Sequence, residues 1–495
     1  MHIEPAQRLC HLPLMMDVLR RTGTLNIIDH ALPQHALSDV SASECVAVLL
    51  SGVYVGAHSL WRVRERLSLY DMATVMQDAT FDLKRFPEER LAKTLDDLYA
   101  FGLDKLMTAI ALETIRQYQV DTSFLHFDTT TLSFYGARER EDPWSMTDGM
   151  PPPPRVVHGY SKAHRPDLKQ VLFGCLSSGD GGIPLLGKVL DGNLSDNLAA
   201  ASFFAHVREL VADPSAVCLV ADSKGWCART LDLVSGQRLR LLSRLPRSHG
   251  LHRQLMAKPW QSEQTITRPA KTKGAEAEHY EIMGFDTDET FAVAVTKADG
   301  TTVNETRVIP VRAVRVFSSA LLRQKLGTLA RLRITETKRA QVMIRDWQAR
   351  AYACADDAQR AADRHLGQYQ AVTHNLIAVT QRIDGPAKRG RGRPRRNPEP
   401  ALDAPVHWRV RYSVEPVDET ASAARLREQA SFILIRTRYE QWQITDAEMI
   451  DRYRGQYHLE HGFAWLKSGA DINPMFIHTP HRIAALGFIY TAWVC

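Results

Sequence analysis

Cysteine is scarce in this chain, with seven among 495 residues, at positions 10, 45, 175, 218, 227, 354 and 495, and no two at CxxC spacing. Most sit in apolar surroundings, which excludes a disulfide framework and a cysteine-rich zinc site and leaves buried thiols of a reducing compartment. No apolar run approaches the roughly 20 residues that a membrane-spanning helix needs, and the stretch from Met1 to Arg20 lacks the apolar core of a secretory signal. A cytoplasmic protein with no membrane partner is expected. A large excess of one charge is also missing. The 62 Lys and Arg against 56 Asp and Glu leave +6, which permits a polyanionic partner without requiring one.

What is present is apolar residue, 44% of the chain, enough for a large core and several domains. From Val18 to about Gln119 apolar residues recur at helical spacing, as in Cys45, Val48, Leu49, Val53 and Leu91, Leu95, Leu98, Tyr99, and predict a helical N-terminal domain over 1–119. Its patch Trp61-Arg-Val-Arg-Glu-Arg66 reads first as a solvated helix face. Strands are expected at 123–135, 170–177, 183–190, 216–222 and 238–244, with helices over 197–211 and 228–235 between the later ones. Hairpin-like strands followed by alternating helix and strand predict an α/β layered sheet over 120–246. After Pro246 the pattern breaks into β-alternation at 279–296 and 306–317 and a helical segment from 320 to about 383, an expected mixed α+β insertion over 247–404. The sheet-like pattern resumes over 405–495, where an amphipathic helix is expected at Thr445–Ser468 and another starts at Pro480. The apolar stretch 482–495 stops without a cap or a polar tail, which predicts a chain cut short.

Three carboxylates stand out. Asp128 lies in the apolar, β-branched run Phe124-Leu-His-Phe-Asp-Thr-Thr-Thr131 on one face with Phe124 and His126, and burying it costs desolvation energy unless it is paired or bound to a cation. Asp222 closes the strand Ala216-Val-Cys-Leu-Val-Ala-Asp222, and the carboxyl ends of strands are where open α/β sheets bind ligands. A helix cap is the competing role for it. In the expected helix, Met449, Tyr453, Gln456, Glu460, Phe463 and Lys467 follow at spacings of three or four, which predicts Glu460 on the buried face. Two turns, about 10.5 Å, separate Glu460 from Lys467, too far for a direct ion pair. No His/Cys cluster competes. Three such acids from two strand ends and a helix suit a pair of hard divalent ions, which take oxygen ligands and serve in-line phosphoryl displacement.

The segments His126-Phe-Asp-Thr-Thr-Thr-Leu-Ser-Phe-Tyr-Gly136, His158-Gly-Tyr-Ser-Lys-Ala-His-Arg-Pro-Asp-Leu-Lys-Gln170, Asp191-Gly-Asn-Leu-Ser-Asp196 and Val220-Ala-Asp222, with the helix of Tyr453, Glu460 and Lys467, resemble the DDE-type transposases of bacterial insertion sequences. Within these the likeness is to the IS-four-like superfamily, which carries an insertion between the second Asp and the Glu. The resemblance covers nearly the whole chain. It implies a ribonuclease H-like, retroviral-integrase-like catalytic core, with Asp128, Asp222 and Glu460 as catalytic and metal-binding triad. It further implies two Mg2+ ions, with Mn2+ as a substitute, and cleavage and strand transfer on double-stranded DNA, both element terminal repeats and target. A homodimer in a synaptic complex and a nucleoid-associated location when active also follow from it. Tyr453 and Lys467 would contact DNA. The chain departs from the family in two places, with Gln456 where relatives carry Arg and Ala163 where they usually carry Asp. A neutral amide cannot replace a bidentate guanidinium on phosphate. A nuclease that does not join strands and a decayed, DNA-binding remnant are therefore the alternatives.

Two basic segments complete the expectations. The linker 385–400 contains Arg391-Gly-Arg393-Pro394 within Lys388–Arg396, a composition that stays disordered until bound and resembles the AT-hook core of narrow minor grooves. Lys162, His164, Arg165 and Lys169 form a second cluster between the first two core strands, placed for phosphate contacts.

Overall fold

The computed structural model describes residues 8–57, 59–135, 152–162, 164–270, 274, 276–296, 301–384, 406–417, 419–439, 442–468 and 477–494. Arg391 and Arg393 lie outside the described residues. Contacts divide the chain into two compact units, the first comprising Met1–Ala257, Gly284–Val314 and Ile433–Cys495, the second Lys258–Met283 and Arg315–Phe432. The expected insertion over 247–404 is thus not one body. Gly284–Val314 belongs with the first unit because the strands there extend its sheet.

The first unit opens with helices from Leu12–Arg21 through Leu103–Tyr118 and no strand among its described residues up to 119. Helix Ala42–Tyr54 is its axis: nearly every residue from Ser43 to Val53 is buried, and Ser41 and Glu44 close a reciprocal cap at its start. The sheet follows. Strands β1 (Phe124–Phe134), β2 (Lys169–Ser178) and β3 (Pro184–Leu190) form an antiparallel meander, while β4 (Cys218–Ala221) and β5 (Arg240–Arg244) add in parallel on the other side of β1. The strands β6 (Gln264–Arg268), β7 (Glu278–Thr296), β8 (Thr302–Ser318), β9 (His374–Asp384), β10 (Val406–Pro416) and β11 (Ser431–Thr437) come later in the chain. In the first unit the order is β3-β2-β1-β4-β5-β11-β8-β7.

Both faces of β1 are covered. Helix Asp196–Ala205 sets Phe203 and Phe204 against Phe127, with ring centroids 4.9 and 5.6 Å apart. On the opposite face lie the helices Asp446–Arg454 and Gln456–Ser468. The single helix expected over 445–468 is therefore two, and the break falls at Gly455, where a Cβ would come within 3.0 Å of the buried His126 ring. Helix Pro480–Val494 buries Ile483, Ala485, Leu486, Phe488 and Ile489. Its contact with β3 is close because Gly187 has no side chain: a Cβ there would meet Thr491 Oγ1 at 1.8 Å. The apolar stretch read as an uncapped tail is thus core.

Asp96, on helix Glu88–Phe101, holds the C-terminal helix to the N-terminal ones. Arg482 donates to it twice, at 2.6 and 2.9 Å, and His481 Nε2 lies 2.8 Å away. Burial acts to raise the Asp96 carboxyl, but these hydrogen bonds outweigh it and hold the group below the usual range. A depressed carboxylate stabilises the fold above its unfolded pKa, near 4, and the contribution disappears as pH falls through the folded value. Asp96→Asn is expected to cost about 1 kcal/mol at neutral pH and nothing in strong acid. Equal losses at both pH values in thermal melts would contradict this.

In the second unit β6 pairs antiparallel with the Glu278–Ile282 part of β7. The hairpin β9-β10 packs one face on helices Ser319–Gln348 and Ala355–Gln368 through Val410 and Tyr412 against Trp347, Ala358 and Ala362. The helix expected to run to 383 ends earlier. His374–Asp384 is a strand because Leu376, Ala378 and Thr380 turn inward at period two against this small core.

Candidate active site

The register of the central strands sets the geometry. Phe127 on β1 pairs with Ala221 on β4, and Ala221 pairs with Ser243 on β5, all parallel. The next position on each strand carries Asp128, Asp222 and Arg244, so these three form one row across the sheet, at the carboxyl ends of β4 and β5 and midway along β1, with neighbouring strands about 4.8 Å apart. Asp128 is half-buried, and burial pushes its carboxyl up to about 6, with Asp222 and Glu460 adding to the rise while Lys162 and the Thr129 amide oppose it. Asp222 is likewise raised by burial. Its Oδ1 accepts from the Lys224 amide at 3.0 Å, so it also caps the short helix Ser223–Gly225, and its carbonyl accepts from Ser243 Oγ at 2.7 Å. The cap weighed for Asp222 is present, and it uses one carboxylate oxygen and leaves the other.

Glu460 is exposed, which corrects the expectation of a buried stripe. Among the described residues of its helix the buried positions are Gln456, Leu459 and Phe463. Gln456 and Phe463 keep the expected packed face, but Leu459 and not Glu460 fills the position between them, which leaves Glu460 at its margin. Its charge still reaches both Asp128 and Tyr453. Tyr453 is pushed up to about 12 by burial, with Arg244 opposing and the acids Asp222, Glu460 and Asp128 reinforcing the shift. Lys467 is pushed down by burial and by Lys162, while Asp128 acts the other way. Gln456 is buried and donates from Nε2 to the carbonyl of Phe127 at 2.9 Å, while its Oε1 has no hydrogen-bond partner. It therefore ties the Glu-bearing helix to the strand one residue before Asp128.

A fourth acid was not expected. Asp196, in the first turn of its helix, accepts from Thr129 Oγ1 at 2.7 Å and from Lys224 Nζ. Burial acts to raise it, but Lys224 and Thr129 outweigh that and keep it low. Lys162 donates to Thr129 O and approaches Asp196 at 3.6 Å and Asp128 at 3.9 Å. The motif ending in Asp196 was visible in the sequence, but its closeness to Lys224 and its effect on Asp222 depend on the helix packing on the Phe127 face of β1. Arg244 was missed for a similar reason, since one strand alone does not reveal its row.

Of the expected basic cluster, only Lys162 joins the acids. Arg165 is exposed and held by Asp167 at 2.7 Å, His164 is exposed in a left-handed turn, and Lys169 pairs with Phe134 at the far end of β1. Among the described residues no group of three His, Cys, Asp or Glu side chains is drawn tightly enough to hold a metal ion. The donor chemistry nevertheless fits a hard divalent cation, because Asp128 and Asp222 offer carboxylate oxygens whose burial a bound cation would relieve.

Residues 5–112 match a family described as a domain of unknown function, DUF4277. No curated protein matches the sequence. Among solved structures, similarity is found to the piggyBac transposase synaptic complex with hairpin DNA, at 7% identity and a TM-score of 0.26, covering 56% of this chain and 59% of that one. Among the described residues no helix is long and apolar enough to cross a membrane.

Proposed function

We propose that this chain is a DDE-type transposase of the insertion-sequence class, acting on double-stranded DNA through Asp128, Asp222 and Glu460. The observation that carries this reading is the row that Asp128, midway along β1, makes with Asp222 at the carboxyl end of β4, where two acids stand side by side with the charge of a helix-borne glutamate bearing on one of them. The order β3-β2-β1-β4-β5, with its antiparallel meander and two parallel additions, supports a ribonuclease H-like core.

The three acids would hold two magnesium ions, or manganese in their place, which activate the attacking oxygen and stabilise the leaving oxygen of a phosphodiester. The chain's own residues orient the DNA. Arg244, beside Asp222 in the row and near Tyr453, supplies the guanidinium for a phosphate that Gln456 does not. Tyr453 keeps its proton at physiological pH and serves as a donor to the strand. Lys467 meets a phosphate from the helix, and Gln456 fixes that helix against β1.

The test is a magnesium-dependent reaction on a duplex bearing the element's own ends, precut to expose the 3′-hydroxyl, together with a target plasmid. Joined products are expected. Hydrolysis without joining would indicate a nuclease. Binding without either reaction would indicate a DNA-binding remnant, the reading that Gln456 at the family's Arg position favours.

A further inference from the structure

The hairpin β9-β10 has one face packed and one face open. Direct pairs across it include His407 with Ile383, Arg409 with Gln381, Arg411 with Val379 and Glu415 with Asn375. Opposed residues of an antiparallel pair share a face, and His407, Arg409 and Arg411 are all exposed, as is Val379 at 59%. The alternate positions, Val410 and Tyr412, are buried against the helices behind. The open face is therefore a basic column of three side chains spanning about 13 Å, with its one acid, Glu415, at the end away from the connection between the strands. Neither Arg409 nor Arg411 has an acidic partner among the described residues. That connection runs through Lys388–Arg396, six of whose nine residues are arginine or lysine.

From these observations we infer that the open face of β9-β10 is a docking surface for duplex DNA, laid along the sugar-phosphate backbone. Arginine forks match phosphate oxygens, and Val379 and Ile383 offer apolar contact beside them. The surface contacts phosphates and reads no sequence. It rests on the reading of the chain as a DNA-acting protein and adds a contact region on the second unit.

The experiment measures binding of the full chain to a fluorescein-labelled 40-base-pair duplex across a salt series, for the wild type, Arg409→Ala/Arg411→Ala and Arg409→Lys/Arg411→Lys. Each phosphate contact contributes about 0.9 to the slope of log K against log salt. Loss of two is expected to flatten the slope by about 1.8, with weaker binding at low salt for any sequence, and the lysine pair is expected to restore the slope. An unchanged slope in the alanine variant, with wild-type binding intact, would overturn the docking surface alone. If the wild type binds no duplex at any salt, the inference and the DNA reading fall together. Preferential capture of polyglutamate over duplex would assign the face to an acidic protein and overturn the proposal.

Discussion

Asp128→Asn and Asp222→Asn are each expected to reduce strand cleavage by about a thousandfold or more, while leaving duplex binding within about twofold. Each tenfold in rate corresponds to about 1.4 kcal/mol of barrier, and removing a charged ligand from a phosphoryl-transfer site removes several such steps. The proposed binding rests on lysines and arginines, which these changes do not touch. Asparagine keeps the shape of these strand positions, so Asp222→Asn still caps Ser223–Gly225. A cleavage rate unchanged in either variant would dismiss that residue from the triad. Asp196→Asn separates two roles. Asp196 is anchored by Thr129 and Lys224, so a positioning role predicts a loss closer to tenfold that changes with Lys224→Met in the same background.

The second large effect belongs to Arg244. Its place in the row with Asp222 and beside Tyr453 sets a guanidinium next to the acids where a scissile phosphate would sit. Arg244→Ala is expected to lower cleavage by about a hundredfold, the usual cost of losing one preorganised donor to developing charge, and Arg244→Lys to recover part of that because a point charge lacks the fork. Should Gln456→Arg in the Arg244→Ala background restore cleavage, the two positions share one phosphate. Restoration is opposed by geometry, since Gln456 is buried on the Phe127 carbonyl. A wild-type rate in Arg244→Ala would return the phosphate contact to another residue.

Much of the architecture was legible because period-two and helical patterns are local. The meander β1-β2-β3, the strand ending at Ala221 and the β-alternation of β7 and β8 follow from apolar spacing alone. What spacing could not reveal was non-local. The helix over 445–468 is interrupted at Gly455, which packs against His126 of a distant strand, and on the second helix Leu459 and not Glu460 packs inward. The segment 374–384 read as helix because Leu376, Ala378 and their neighbours satisfy either period over a short run. Only pairing with β10 decides between them. In the candidate site, Asp128, Asp222 and Glu460 were each visible as acids in unusual places, whereas Arg244 and Asp196 became site residues only when β5 and the helix Asp196–Ala205 were set beside β1. Gln456 was read as a missing phosphate contact. The structure adds that its amide is already committed to the strand that carries Asp128.

The most direct measurement is magnesium-dependent cleavage of a duplex carrying the element's ends by the wild type and by Glu460→Gln, with binding followed on the same samples. The triad account predicts that the wild type cuts and the variant only binds. Equal cutting by both would contradict it, and binding without cutting by both would leave a DNA-binding protein that has lost its chemistry.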